Sequence, residues 1–229
     1  MRSLLAVRDA LRQGPERVLE VAAGGSGLAA TLASNDIEVC VNDIRTESLN
    51  QALNEYSTGD KISVFGGNLF DLLPEKTGTF DLVIACEVIE HVAHPVELLK
   101  HLRRFIEPGG HLLLTTPNGS YFRNRLPTFS EVTNFDDFEA NQFKPDADGH
   151  LFLFTPHELA EAATSAGFSA EHLSLWGTPL LNGHVFFRLF SGRSFLRVAY
   201  KTEVLSQVLP ISARAYFCFA MSALLGNPS

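Results

Sequence analysis

The chain has 229 residues, 45% of them apolar and only 19% charged, a composition that fills a core and excludes disordered and fibrous polymers. Eighteen Lys and Arg against 26 Asp and Glu give a net charge of -8, and no long basic run is present to supply the phosphate contacts of a bulk nucleic-acid binder. The balance is uneven: residues 177–229 carry Arg188, Arg193, Arg197, Lys201 and Arg214 against Glu203 alone, a net of +4, so the rest of the chain carries -12. Cys40, Cys86 and Cys218 are an odd number, far apart and without a CxxC, which points to a reduced, cytoplasmic chain. In the opening MRSLLAVRDAL, Arg8 and Asp9 cut short the apolar stretch of a signal peptide, and no apolar run approaches the roughly 18 residues of a membrane span.

Strand-length apolar runs alternate with stretches of helical period, the pattern of a parallel sheet covered by helices on both faces. A first strand is expected over Arg17–Ala22, then a glycine loop, a helix from about Leu28, and a second strand over Glu38–Asn42 that ends at Asp43. Leu49, Ala52, Leu53 and Tyr56 recur at i, i+3, i+4 and i+7 and form a helical stripe. A third strand follows at Ile62–Phe65 and a fourth, FDLVIAC, at Phe80–Cys86. Leu98, Leu99, Leu102, Phe105 and Ile106 read as the core stripe of the next helix, stopped by Pro108, Gly109 and Gly110.

A fifth strand, His111–Thr116, leads into residues 117–150, a lid-like insertion of weak periodicity that contains Phe122, Phe129, Phe135, Phe138 and Phe143. These rings either line an acceptor pocket or pin the long loop to the core, the commoner use of Phe. Thr155, Pro156 and Glu158 spell a helix start with a capping box, and Gly167 its end. Ser169–Trp176 reads as a sixth strand, 183–209 as two short amphipathic helices, and Ala213–Ala223 as either a final buried strand or an apolar helix, with length and aromatic content favouring the strand.

VLEVAAGGSGLAA places Gly24, Gly25 and Gly27 between a strand and a helix, where small residues let a ligand approach backbone amides. Gly25 to Ala30 also fits the GxGxxA form of a dinucleotide fingerprint, with Asp43 placed for ribose hydroxyls, so a nicotinamide oxidoreductase remains open. Glu20 separates the readings, because a carboxylate beside the loop repels a pyrophosphate and attracts an ammonium. S-adenosylmethionine carries that ammonium.

VLEVAAGGSG at 18–27, VCVNDI at 39–44, GGNLFDLLP at 66–74, FDLVIACEVIEHV at 80–92, EPGGHLLLTTPN at 107–118 and FTPHELAEAATSAGF at 154–168 follow one another in register. In these stretches the chain resembles the class I S-adenosylmethionine-dependent methyltransferases, and EVIEHV is closest in wording to the ubiquinone-biosynthesis type of O-methyltransferase. The resemblance implies one α/β domain over 1–229, a Rossmann-like three-layer sandwich of about seven mostly parallel strands with the last antiparallel. It implies Glu20 near the methionine amino group, Ala22, Gly24 and Gly27 under the methionine, and Asp43 on the ribose with Ile44 against adenine. Asn68 and Leu69 would meet the adenine edge and face, and Cys86 and Glu87 would border the reacting methyl. The loop has one residue more than the family's usual pattern, and Ala22 stands where a glycine is usual.

Glu87, Glu90 and His91 lie at i, i+3 and i+4 directly after the fourth strand, at the carboxyl edge where ligands bind in such folds. His91 is the first candidate for a general base. Glu90 is placed to orient its ring, or all three to hold a divalent cation, while a histidine capping the next helix beside two solvated glutamates is an equal alternative. His150, at the end of the lid segment, reads as base or hinge. His94 is expected to cap the helix begun by Pro95, and His101, His111, His157 and His172 are expected at the surface.

The function implied is methyl transfer to a small-molecule acceptor, at a hydroxyl oxygen of a lipophilic, phenolic or glycan-type compound; a catalytically silent cofactor-binding module is the other alternative. The basic amphipathic stretch 183–209 reads as a cap over the acceptor site between the last two strands, or as a peripheral membrane contact. Only about sixteen residues precede the first strand, and the open site that follows suits a large or membrane-linked acceptor.

Overall fold

The structure, a computed structural model, describes residues 7, 10–25, 27–55, 61–139, 149–178 and 201–228. Seven strands form one sheet: β1 (Arg17–Val21), β2 (Glu38–Asp43), β3 (Ile62–Gly66), β4 (Phe80–Cys86), β5 (Ile106–Pro117), β6 (Ser169–Trp176) and β7 (Ala220–Gly226). Their order is β3-β2-β1-β4-β5-β7-β6. β1 to β5 pair in parallel, and β7 runs antiparallel to both its neighbours.

Burial on both faces explains why the central strands are apolar at most positions. Leu19 and Val21, with Val83 and Ala85, join the core on one face, which receives Leu98, Leu99 and Leu102 of α3 (Pro95–Arg103) and Leu159 of α4 (Pro156–Ser165). Val18, Leu82 and Ile84 face the other way, onto Ala29, Leu32 and Ala33 of α1 (Gly27–Ala33) and Leu49 of α2 (Thr46–Glu55). The three-layer arrangement follows. Thr155 caps α4 as its sequence indicates: its hydroxyl accepts the Glu158 N–H, and the Glu158 carboxylate accepts the Thr155 N–H.

Two expectations about element boundaries are corrected. α3 ends at Arg103, so Phe105 and Ile106 lie beyond it, and Ile106 already pairs with Phe80 as β5 begins. Pro108, Gly109 and Gly110 therefore sit inside β5 rather than stopping the helix. They occupy a bulge between the Phe80–Ile106 and Leu82–His111 pairs, where a proline without an N–H and a glycine at φ 81° can be placed. The apolar stretch 213–223 is not one strand. Ile211–Phe217 is a helix, α5, with none of its residues buried, and β7 begins at Ala220 and is buried at every position. Pro210 and the Ala-Arg-Ala run favour the helix, and burial between β5 and β6 selects the strand.

Within 117–139 the lid segment is held to the body by single bridges, Asn118 to Phe154 and Thr128 to Leu153. Phe129 stacks on Phe154 at 4.9 Å, and Phe135 and Phe138 meet Phe152 edge-on. These three rings pin the loop. Phe143 and the rest of 140–148 lie outside the described residues, as does 183–200 of the expected cap; residues 201–206 are helical.

Asn118 joins the lid to the C-terminal segment. Its amide donates to the Ala215 and Cys218 carbonyls, both at 2.7 Å, and its Oδ1 accepts the Ser120 N–H at 3.0 Å. Asn118→Ala is expected to cost about 2–4 kcal/mol, because it strands two carbonyls near the core. A melting temperature within a degree of the parent would contradict this bracing role.

Candidate active site

The strand order reverses direction between β1 and β4, and ligands in such sheets bind outside the carboxyl ends of the strands at that point. A cleft of about 260 Å³ opens there, lined among others by Ala22, Asp43, Ile44, Asn68, Leu69 and Glu87. His91 closes one side of it.

Glu20 sits on β1 directly beneath the loop and is only 6% exposed. Its Oε2 has no hydrogen-bond partner. Burial pushes its pKa up to about 7; the Ala29 N–H pulls the value down, and the Asp43 charge adds to the rise. The loop above it is conformationally tense. Ala22 stands at φ 50° and Gly24 at φ 54°, and the left-handed region costs an alanine about 1 kcal/mol or more. The glycine usual at the Ala22 position thus has a physical explanation.

Asp43, at the end of β2, shapes the loop from the other side. Its Oδ2 accepts the Gly24 N–H at 2.8 Å and its Oδ1 the Arg45 N–H at 2.7 Å. Each oxygen keeps a lone pair for a hydroxyl. Ile44 beside it is half exposed, and Asn68 caps a 3-10 turn at Leu69–Asp71 by accepting the Phe70 N–H. The neutral Asn68 amide retains its NH2 group for a ligand, which an aspartate would not offer. Gly27 opens α1, and Cys86 ends β4 behind Glu87.

Two supporting residues escaped sequence reasoning. Asn42 is buried and its amide donates to the Phe65 and Gly67 carbonyls, tying β2 to the turn before Asn68. His101, expected at the surface, is buried on α3, and its Nε2–H donates to the Leu69 carbonyl at 2.9 Å. Its place on the Leu98–Leu102 side of the helix was the available signal. His94 likewise makes no capping bond; its Nε2 meets Glu139 at 2.9 Å, while His111 pairs with Glu171.

The EVIEHV segment forms a 3-10 turn, Ile89–His91, and it divides its side chains differently from the helical expectation. Glu87, at φ 56°, accepts the Thr115 hydroxyl. Glu90 turns inward and is fully buried; its Oε2 accepts the Thr116 hydroxyl at 3.0 Å. Its Oε1 has no hydrogen-bond partner and lies 3.9 Å from the His150 Nε2. Glu90 therefore faces His150 and does not orient His91. Burial raises Glu90 to about 8, with Glu87 adding to the rise, while burial and His91 lower His150. Near neutral pH this is a contact between two uncharged groups. His91 instead meets the Gly149 carbonyl through Nδ1 at 3.0 Å, with its ring 4.9 Å from that of His150. A carbonyl only accepts, so Nδ1 carries the proton and Nε2 is left as the basic nitrogen. The ligand atoms of Glu90, His91 and His150 lie within 4.8 Å of one another, so the trio suited to a cation includes His150 in place of Glu87.

Sheet order, switch-point cleft and glycine loop define a Rossmann-like nucleotide-cofactor fold. A family model described as a methyltransferase domain matches residues 2–173, and the chain belongs to that family. It is 33% identical over 104 residues to a ubiquinone biosynthesis O-methyltransferase of Vibrio parahaemolyticus, an alignment covering 45% of this chain and 44% of the relative. It is 28% identical over 160 residues to the protein of the same name in Xanthomonas axonopodis, covering 69% of this chain and 64% of the relative. The chain thus spans less than two thirds of the length of these relatives. An S-adenosylmethionine-dependent methyltransferase structure from Mesorhizobium loti superimposes with a TM-score of 0.62 at 16% identity, over 96% of this chain and 97% of that one. At that identity the likeness shows the fold.

Glu20 links stability to pH. Its folded pKa lies above its ordinary 4.5, so its contribution to stability is complete below about 4.5 and is lost as pH rises through about 7. Glu20→Gln is expected to raise the melting temperature of the ligand-free protein at pH 8 and to leave it unchanged at pH 4.5. An equal shift at both pH values would show that the carboxylate is not the source of the strain.

Proposed function

We propose that the cleft binds S-adenosylmethionine and that the chain transfers its methyl group to a hydroxyl oxygen of a small-molecule acceptor, of lipophilic, phenolic or glycan type. The observation that carries this reading is Glu20: a buried carboxylate with an unpaired oxygen below the loop is complementary to an ammonium and opposed to a pyrophosphate. The donor set fits the rest of the cofactor as well. Asp43 offers acceptors to a ribose diol, and Asn68 and Leu69 offer an amide and an apolar side chain to a purine. Methyl transfer to oxygen is also what the name of the Vibrio and Xanthomonas relatives describes.

Bound S-adenosylmethionine supplies an electrophilic methyl carbon on a sulfonium leaving group. The protein's part is to align an acceptor oxygen with that carbon at about 3 Å and to remove its proton. His91 Nε2 takes the proton, and the Gly149 carbonyl steadies the imidazolium through Nδ1–H. The His150 ring, uncharged near pH 7, meets the His91 ring edge-on, and Glu90 lies behind His150, so neither competes for the proton. Glu87 meets the cleft in a left-handed conformation held by Thr115.

His91→Ala is expected to lower kcat on a hydroxyl acceptor by about 10²- to 10⁴-fold while leaving S-adenosylmethionine affinity within a few-fold. Full turnover in that variant would remove His91 from the chemistry. Below about pH 7 cofactor affinity should fall as Glu20 takes up a proton, and in Glu20→Gln affinity should be weakened roughly tenfold or more and lose that pH dependence.

A further inference from the structure

We propose that residues 201–217 together with 119–126 form a docking face for an anionic lipid bilayer. The apolar side chains here are unusually open: Val208 is 77% exposed, Leu205 67% and Ile211 60%, with Val204 and Leu209 beside them in sequence also exposed. Monomeric surfaces expose such residues singly, not as a cluster within eight positions. The patch continues onto α5 and the lid. Phe122 stacks on Tyr216 at 5.4 Å, lies 6.2 Å from Phe217, and donates its N–H to the Tyr216 carbonyl.

Charge decides the occupant. The face carries Lys201, Arg123, Arg125 and Arg214, with the Arg123 guanidinium over the Phe122 ring at 5.7 Å and Arg214 bonded to Gln207. Glu203 is the only acid in either segment. It is buried, with its two oxygens accepting the Gly177 and Thr178 N–H groups, so it does not offset the cations. Exposed apolar side chains with four cations and no exposed acid in the same two segments, in a chain of net charge -8, are complementary to headgroup phosphates and acyl chains. A second copy is a poor occupant, because a two-fold contact would set this basic rim against itself.

The face has a useful position. β7 begins at Ala220 opposite Pro117 and Trp176, the carboxyl ends of β5 and β6, so α5 and Phe122 lie at the same edge of the sheet as the cleft. A bilayer seated there lies along the edge from which a lipophilic acceptor would enter. That consequence rests on the methyl-transfer reading; the lipid contact does not.

Co-sedimentation of the whole chain with vesicles tests the contact without reading turnover, so its outcome is separate from that of the cofactor and activity measurements. The protein should pellet with vesicles of equimolar phosphatidylcholine and phosphatidylglycerol, remain in solution with phosphatidylcholine alone, and be released by high salt. L205D/V208D, at solvent-facing positions, should lower vesicle affinity at least about tenfold with an unchanged melting temperature, and R123E/R125E should do so through charge alone. Equal pelleting with both vesicle types, no pelleting with either, or undiminished pelleting of L205D/V208D would overturn the proposal. So would self-association in sedimentation velocity that L205D/V208D abolishes while anionic vesicles fail to bind, which would give the face to a second copy.

Discussion

Desolvation of the Glu20 carboxylate is the constraint on which the proposed cofactor site rests. β1 lies between β2 and β4 and is buried over most of its length, so an acid in its fourth position loses water whether or not a partner is supplied. The fold answers only in part, through the Ala29 N–H, and leaves one oxygen unpaired. A buried group in that state raises its pKa or awaits a cation. The loop above it accepts left-handed geometry at Ala22 and Gly24, and Asp43 draws the Gly24 N–H toward β2. Asp43 and Glu87 line the cleft beside this loop, and in the proposed reading an ammonium would answer the unpaired Glu20 oxygen and a ribose diol would meet Asp43.

The same principle governs the opposite wall in reverse. Glu90 is buried as deeply as Glu20, and desolvation with the Glu87 charge nearby favours its protonated form even though the Thr116 hydroxyl donates to it. One buried acid is poised to bind charge and the other to remain uncharged. Between them, His91 is the imidazole that lines the cleft and has its tautomer set by a backbone carbonyl. Electrostatics also divides the molecule more broadly, with acids gathered at the cleft and cations on the C-terminal face at the same sheet edge.

Much of this was legible in the chain. FDLVIAC and VLEV read as strands because both faces of a central parallel strand are buried, and TPHE read as a helix start because capping is local chemistry. Glu20 and Asp43 could be put on β1 and at the end of β2 from the apolar runs that precede them, whereas Asn68 was singled out only by the family resemblance. The misreadings share one cause, which is that tertiary contacts choose among locally acceptable states. Ile106 fits a helical stripe until Phe80 pairs with it, and Ala213–Phe217 fits a strand until only Ala220–Gly226 finds room between β5 and β6. Likewise, spacing alone put Glu90 beside His91, whereas the 3-10 turn sends it to His150, a residue 60 positions away. His101 was missed because a histidine on a helix face shows its burial only when Leu69 is brought against it.

The most direct measurement of the central claim is a calorimetric titration of the protein at pH 8, where Glu20 is ionised, with S-adenosylmethionine and with NADH. The account predicts micromolar binding of the sulfonium cofactor and no heat from the dinucleotide. Binding of NADH with S-adenosylmethionine silent would contradict it, and would mean that the glycine loop holds a pyrophosphate despite the carboxylate beneath it.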